Sequence, residues 1–151
     1  MTKPLRRNHL KPLSSLLLLC LGITVSSARP AYACSCMRPP APNQALAEAT
    51  AVFSGQVTNI EQVRLKLNVT FRVDEWWKGE AVQNIVVQTA ATTAACGYPF
   101  EVGQTYLVYA NHRQGRLQTN YCSRTALLSQ AADDLSILSK DLPCKGRYPA
   151  H

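Results

Sequence analysis

Residues 65–73 alternate without a break. Leu65, Leu67, Val69, Phe71 and Val73 are apolar, and Lys66, Asn68, Thr70 and Arg72 between them are polar. A period of two puts the two sets on opposite faces of an extended chain, which predicts a strand with one face buried. Such a strand needs neighbours, because unpaired edge amides invite aggregation. Residues 51–60 read as one neighbour, with Gly55 marking a bulge. Residues 85–89 and 105–110 are β-branched and aromatic strands, and residues 117–122 are a weaker fifth, reached through a turn at Gln114-Gly115. Trp76-Trp77-Lys78-Gly79 closes the central strand as a turn, with one Trp expected to face the core and the other outward. The loop before that strand is residues 61–64.

Two helices flank these strands. Asn43 reads as the N-cap of a short helix ending at residue 48. Leu128, Ala131, Leu135 and Leu138 recur at spacings of three, four and three, so residues 126–140 are predicted to form one amphipathic helix against the sheet, ended by Pro143. Five short antiparallel strands with flanking helices predict a mainly β fold, a five-stranded OB-type barrel whose closure removes exposed edges. A β-sandwich is the alternative.

Charge separates the chain into parts. The whole sequence has 16 basic and 9 acidic residues, a net charge of +7. Lys3, Arg6, Arg7, Lys11 and Arg29 fall within residues 1–33, which contain no Asp or Glu; without that segment the balance is 11 against 9, or +2. That value excludes a strongly polybasic nucleic-acid or membrane-surface protein. Residues 1–33 have a basic start, an apolar run over 13–25 and the ending Ala31-Tyr32-Ala33, the pattern of a secretory signal peptide. The run is shorter than the roughly 20 apolar residues a membrane span needs, so no stable membrane insertion is expected after cleavage. Arg6-Arg7 also fits the opening of a twin-arginine export signal. The expected product is secreted, or periplasmic in a bacterium, with one domain over 34–144 and a tail over 145–151.

Cleavage after Ala33 would leave Cys34, Cys36, Cys96, Cys122 and Cys144, with the mature amino group on Cys34. Export makes disulfides the default, and the plain reading is two structural bridges and one spare thiol. Zinc-ligand spacing is missing, since His112 and His151 are isolated. A cysteine nucleophile paired with His112 lacks an orienting third group, so no enzyme is expected. Cys34 and Cys36 are too close to bridge each other without strain, so each needs a distant partner.

Cys34-Ser35-Cys36 at a mature N-terminus, Gln44-Ala45-Leu46, Trp77-Lys78-Gly79, Ala95-Cys96-Gly97, Val102-Gly103 before Tyr106-Leu107, and Tyr121-Cys122 occur in an order that resembles the N-terminal inhibitory domain of the tissue inhibitors of metalloproteinases. The resemblance covers most of residues 34–138. It implies the netrin-like module, an OB-fold barrel of five strands with flanking helices. It also implies the bridges Cys34–Cys96 and Cys36–Cys122. Cys144 is left unpaired, or paired between chains, because its family partner position is Ala47 here. The family's C-terminal subdomain has no counterpart.

The function that follows from the resemblance is secreted inhibition of zinc metalloendopeptidases. The Cys34 amine and carbonyl would ligate the target's catalytic zinc, so the chain needs no cofactor of its own. Ser35 would enter the pocket beyond the zinc, Cys36 and Met37 would continue along the substrate groove, and Ala94 and Ala95 would form a second ridge. The other class of function compatible with the same fold is a secreted netrin-like binding module with no protease target. Plain structural roles compete at several positions. Ser35 reads as a small spacer and Met37 as a packing residue. Asn68-Val69-Thr70 reads as a chance sequon, and Arg113, Arg116 and Arg124 as a solvated face.

Overall fold

The computed structural model describes residues 34–141 and 146–147. The signal-peptide reading of residues 1–33 and the state of Cys144 lie outside the described residues. The described chain is mainly β, with two α-helices and two disulfides. Its strands are β1 (Ala51–Val63), β2 (Lys66–Lys78), β3 (Asn84–Ala90), β4 (Thr105–Arg113), β5 (Arg116–Gln118), β6 (Ala126–Leu127) and β7 (Gly146–Arg147). The helices are α1 (Pro42–Glu48) and α2 (Ala132–Asp141).

The strands pair in the order β1-β2-β3-β5-β4-β6, with β7 added to β2. A further antiparallel pairing of β1 with β4 closes β1-β2-β3-β5-β4 into a ring of five. Closure follows from the length of β1, which uses residues 52–63 toward β2 and 51–56 toward β4. Bulges let one strand serve two partners: the β1–β2 register shifts between Val52 and Phe53, Ser54 and Gly55, and Val57 and Asn59. Gly55 is required there, because a Cβ would press against the backbone oxygen of Arg72.

Alternation sorts the side chains into two clusters. Phe53, Val57, Val69, Phe71, Val87 and Val108 belong to one, which draws on β1, β2, β3 and β4 and has Leu117 of β5 packed against it. A face common to all five strands is the interior of the ring. Phe71 is fully buried at its centre, edge-on to Phe53 and Phe100 with ring centroids 5.5 and 5.2 Å apart. Val52, Leu107 and Tyr109 point to the opposite face of β1 and β4, where Trp77, Ala131 and Leu138 join them under the helices. Each fully buried Leu, Val or Phe contributes about 1.5–3 kcal/mol of transfer free energy.

Several sequence expectations need correction. β1 runs to Val63, so the predicted loop at 61–64 shrinks to a two-residue turn, Arg64-Leu65, with Arg64 at φ +56°. Leu65 belongs to that turn and is exposed rather than half-buried. Trp76, Trp77 and Lys78 are strand, not turn; Gly79, at φ +98°, makes the bend. Neither Trp faces solvent. Trp76 packs against the ring interior and Trp77 is buried beneath the helices, because the β2 bulge at Trp77 breaks the simple alternation. β5 stops at Gln118, where Thr119 turns inward to donate to the Tyr109 carbonyl. The predicted helix over 126–140 starts only at Ala132. Before it, Ala126–Leu127 pair with Leu107 and Tyr106 as β6 and Leu128–Gln130 form a 3-10 turn, because the free edge of β4 takes a ladder partner there. Helix α1 begins at Pro42, and its N-cap position is Ala41 rather than Asn43; the Asn43 carboxamide accepts from the Gln44 amide instead. Part of the expected tail is paired, as β7.

Candidate functional site

Residues 34–41 form an arm without regular structure that precedes α1. Pro39 and Pro40 remove amide donors from it, which leaves an extended strap rather than a strand. Two bridges attach the strap to the ring. Cys34 is joined to Cys96, with Cα atoms 5.3 Å apart, and Cys36 to Cys122, at 5.2 Å.

The receiving loops are held locally. Thr93–Ala95 form one 3-10 turn, whose N-cap Thr92 accepts from the Ala95 amide through its hydroxyl and from the Gly97 amide through its carbonyl. Cys96 follows in the left-handed region at φ 61° and ends the turn. Only glycine fits next, since a Cβ on Gly97 would overlap the carbonyl oxygen of Ala90. The Tyr121 amide donates to the Cys96 carbonyl at 2.9 Å, and the Asn120 carboxamide accepts from the Cys122 amide at 2.9 Å. The two half-cystine loops are therefore bonded to each other as well as to the arm.

A polar brace holds the other end of the arm. Arg124 forms a two-pronged pair with Asp134 of α2, at 2.7 and 2.6 Å, and its Nη1 donates to the Pro40 carbonyl at 3.0 Å. The Tyr109 hydroxyl of β4 donates to the same carboxylate at 2.8 Å. Asp134 is buried and lies in the first turn of α2, where the helix dipole favours its charge. Burial, and then the bond to Asp134, push the Tyr109 hydroxyl well above its ordinary value. The hydrogen bond to Asp134 also raises the Arg124 guanidinium. Behind the brace, the Thr119 and Thr125 hydroxyls share the Tyr109 carbonyl, and the Thr125 hydroxyl accepts from the Tyr109 amide.

The sequence read Arg124 as part of a solvated face; it is instead the arm's brace, while Arg113 and Arg116 are exposed. Neither Asp134 nor Tyr109 stood out in the sequence, since one acid of the Asp133-Asp134 pair and a tyrosine within a strand carry no spacing signal. Lys78 was likewise missed: its ammonium caps the C-terminus of α1 by donating to the Leu46 and Ala47 carbonyls.

The predicted contact residues gather at this edge. Ser35, Cys36 and Met37 are exposed on the arm, and Ala94 and Ala95 are exposed on the turn beside the Cys96 bridge. Met37 is 89% exposed and so is not a packing residue. Tyr121, beside the second bridge, is another exposed apolar side chain and stacks loosely on Tyr98. Asn68 lies half-buried on β2 and accepts from Gln88, which suits a strand residue better than a glycan acceptor.

The sulfurs of Cys34, Cys96 and Cys122 lie within 4.8 Å of one another. Three such atoms could hold a soft metal ion as thiolates, but each is engaged in a bridge here and offers no thiolate. What the edge presents instead is backbone, an arm of fixed course with small side chains around it. Among the described residues, no helix is long and apolar enough to cross a membrane. No protein-family model matches the chain, and no curated protein matches it either.

Proposed function

We propose that this chain is an exported inhibitor of zinc metalloendopeptidases, with residues 1–33 removed and Cys34 as the working terminus. The ring of strands is taken as an OB-type barrel of the netrin-like kind, with the arm laid across one end. The observation that carries the reading is the arm itself: its residues 35–37 are exposed, yet it is tied to the ring by two covalent bonds and by Arg124.

A catalytic zinc keeps one coordination position for water and substrate. An amine and a carbonyl on one residue make a bidentate chelate that displaces that water. The Cys34 sulfur is spent in its bridge, so the ligands are backbone nitrogen and oxygen. An α-amino group ordinarily titrates near about 7.7–8.0, so a usable neutral fraction exists at physiological pH, and zinc displaces the remaining proton. Little conformational entropy is lost on binding, because the bridges have already restricted the arm. Ser35 faces the pocket beyond the zinc, Met37 lies further along the groove, and Ala94 and Ala95 pack beside them. The zinc belongs to the target.

The test is an inhibition assay of the mature protein against a panel of zinc endopeptidases. Placing one Ala before Cys34, or acetylating its amine, should abolish inhibition with an unchanged circular dichroism spectrum. Ser35→Gly should change selectivity among the proteases more than stability. Full inhibition by the Ala-extended protein would refute the chelation mechanism. Absence of inhibition by the unmodified protein across the panel would favour the binding-module alternative.

A further inference from the structure

The two bridges touch. The Cys34 sulfur lies 3.9 Å from the Cys122 sulfur, although each is bonded to a different partner. The four cysteines also differ in access: Cys36 is exposed, whereas Cys34, Cys96 and Cys122 are half-buried. We infer that Cys36 is a site of S-thiolation by small thiols, and that modification there passes inward by sulfur exchange to release Cys96.

The chemistry is two successive displacements. A thiolate RS⁻ attacks the sulfur of Cys36, which is the accessible end of its bridge. The bond between Cys36 and Cys122 breaks, Cys36 carries the mixed disulfide with R, and Cys122 leaves as a thiolate. That thiolate is already in contact with the Cys34 sulfur. It attacks Cys34, forming a Cys34–Cys122 bond and expelling Cys96 as the new thiolate. One thiolate enters and one is released, and two disulfide bonds exist before and after, so no oxidant or reductant is consumed. Exchange of this kind needs a thiolate that can reach a disulfide sulfur. Bridges set apart in a fold cannot do this; here Cys34, Cys96 and Cys122 occupy one cluster within 4.8 Å.

The consequence is local. The arm stays tied to the 120–122 loop, now through Cys34 instead of Cys36, while the Thr93–Gly97 loop loses its covalent tether and keeps the hydrogen bond from the Tyr121 amide to the Cys96 carbonyl. The exposed ridge at Ala94 and Ala95 is then no longer bonded covalently to the arm, so the surface described above loosens without unfolding the ring. The inference concerns bridge chemistry and stands whether or not the chain inhibits a protease.

The experiment treats folded protein with limiting glutathione at mildly alkaline pH, quenches with acid, alkylates the free thiols and maps the linked peptides by mass spectrometry. The expected products are glutathione on Cys36, a Cys34–Cys122 peptide, alkylated Cys96 and a matching loss of the Cys34–Cys96 peptide, with circular dichroism unchanged. Glutathione on Cys36 with alkylated Cys122 and an intact Cys34–Cys96 bridge would overturn the relay. Lack of any reaction before unfolding would overturn the site itself. Cys36→Ser gives a second approach, since it leaves Cys122 free from the start. The oxidised variant should hold a mixture of Cys34–Cys96 and Cys34–Cys122 bridges, and Cys34–Cys96 alone would contradict the exchange.

Discussion

The ring interior and the N-terminal arm are held by different forces. Inside the ring, Phe53, Phe71, Phe100 and their neighbours are packed by apolar burial on a ladder of strand hydrogen bonds. The arm buries little: Ser35, Cys36, Met37, Arg38 and Pro39 are all exposed, and its course is set by two disulfides and one bidentate arginine. A segment can therefore be fixed in course without a core of its own. Burial distributes stability over many side chains, whereas cross-links concentrate positional control in four sulfurs and one guanidinium. A surface that must present backbone to a partner is suited to the second arrangement, because it leaves its own side chains outside.

Substitutions in the ring and in the arm should have different signatures. Phe71→Ala removes the fully buried ring that Phe53 and Phe100 meet edge-on, and should cost about 3–5 kcal/mol, measured by urea unfolding. Arm and ring should be lost together in that variant. Replacing Cys36 and Cys122 together by Ala opens a bridge spanning 86 residues of separation and should cost about 2–4 kcal/mol. Its signature is different: the ring's hydrogen-exchange protection should persist under native conditions while protection of the Cys122 and Tyr121 amides falls. Equal loss across the ring would mean that the arm is part of one cooperative core.

Arg124→Ala sharpens the contrast. It leaves Asp134 buried with only the Tyr109 hydroxyl, and should cost about 1–3 kcal/mol while freeing the Pro40 carbonyl. The smallest effect is expected from Tyr109→Phe, about 1 kcal/mol near neutral pH. Its pH dependence is more telling. The folded state raises the Tyr109 hydroxyl above the value of about 10 that it has when unfolded, so its contribution is complete below that pH and is lost as pH rises toward the folded value. Burial raises Tyr98 and Tyr106 in the same direction. Stability of the native chain should therefore fall above about pH 10, and less steeply in the Phe variant. An identical alkaline slope in both would show that Tyr109 does not carry this linkage.

What the sequence disclosed follows the same division. The alternation over residues 67–73 needs only a period of two, and β2 is where it predicts. Residues 61–63 are Glu, Gln and Val, all exposed, with no alternating apolar face to mark them as strand; they are held by pairing to Lys66, Leu67 and Asn68. Leu128, Ala131, Leu135 and Leu138 do share one apolar cluster, yet their spacing cannot reveal that Ala126 and Leu127 pair with β4. At the site, the cysteines were conspicuous, but spacing alone left their pairing open; the resemblance supplied Cys34–Cys96 and Cys36–Cys122, the same bridges that the structure contains. Arg124 and Asp134 were illegible because their meaning lies in a contact across ten residues and two elements, with the arm a further 84 residues away.

X-ray absorption at the zinc edge of an inhibited endopeptidase reads which atoms of Cys34 meet the target's metal. Inhibitor binding should replace the zinc-bound water with nitrogen and oxygen ligands at about 2.0–2.2 Å and add no sulfur shell. A new sulfur shell at about 2.3 Å, or a zinc spectrum unchanged by saturating inhibitor, would contradict coordination by the Cys34 backbone.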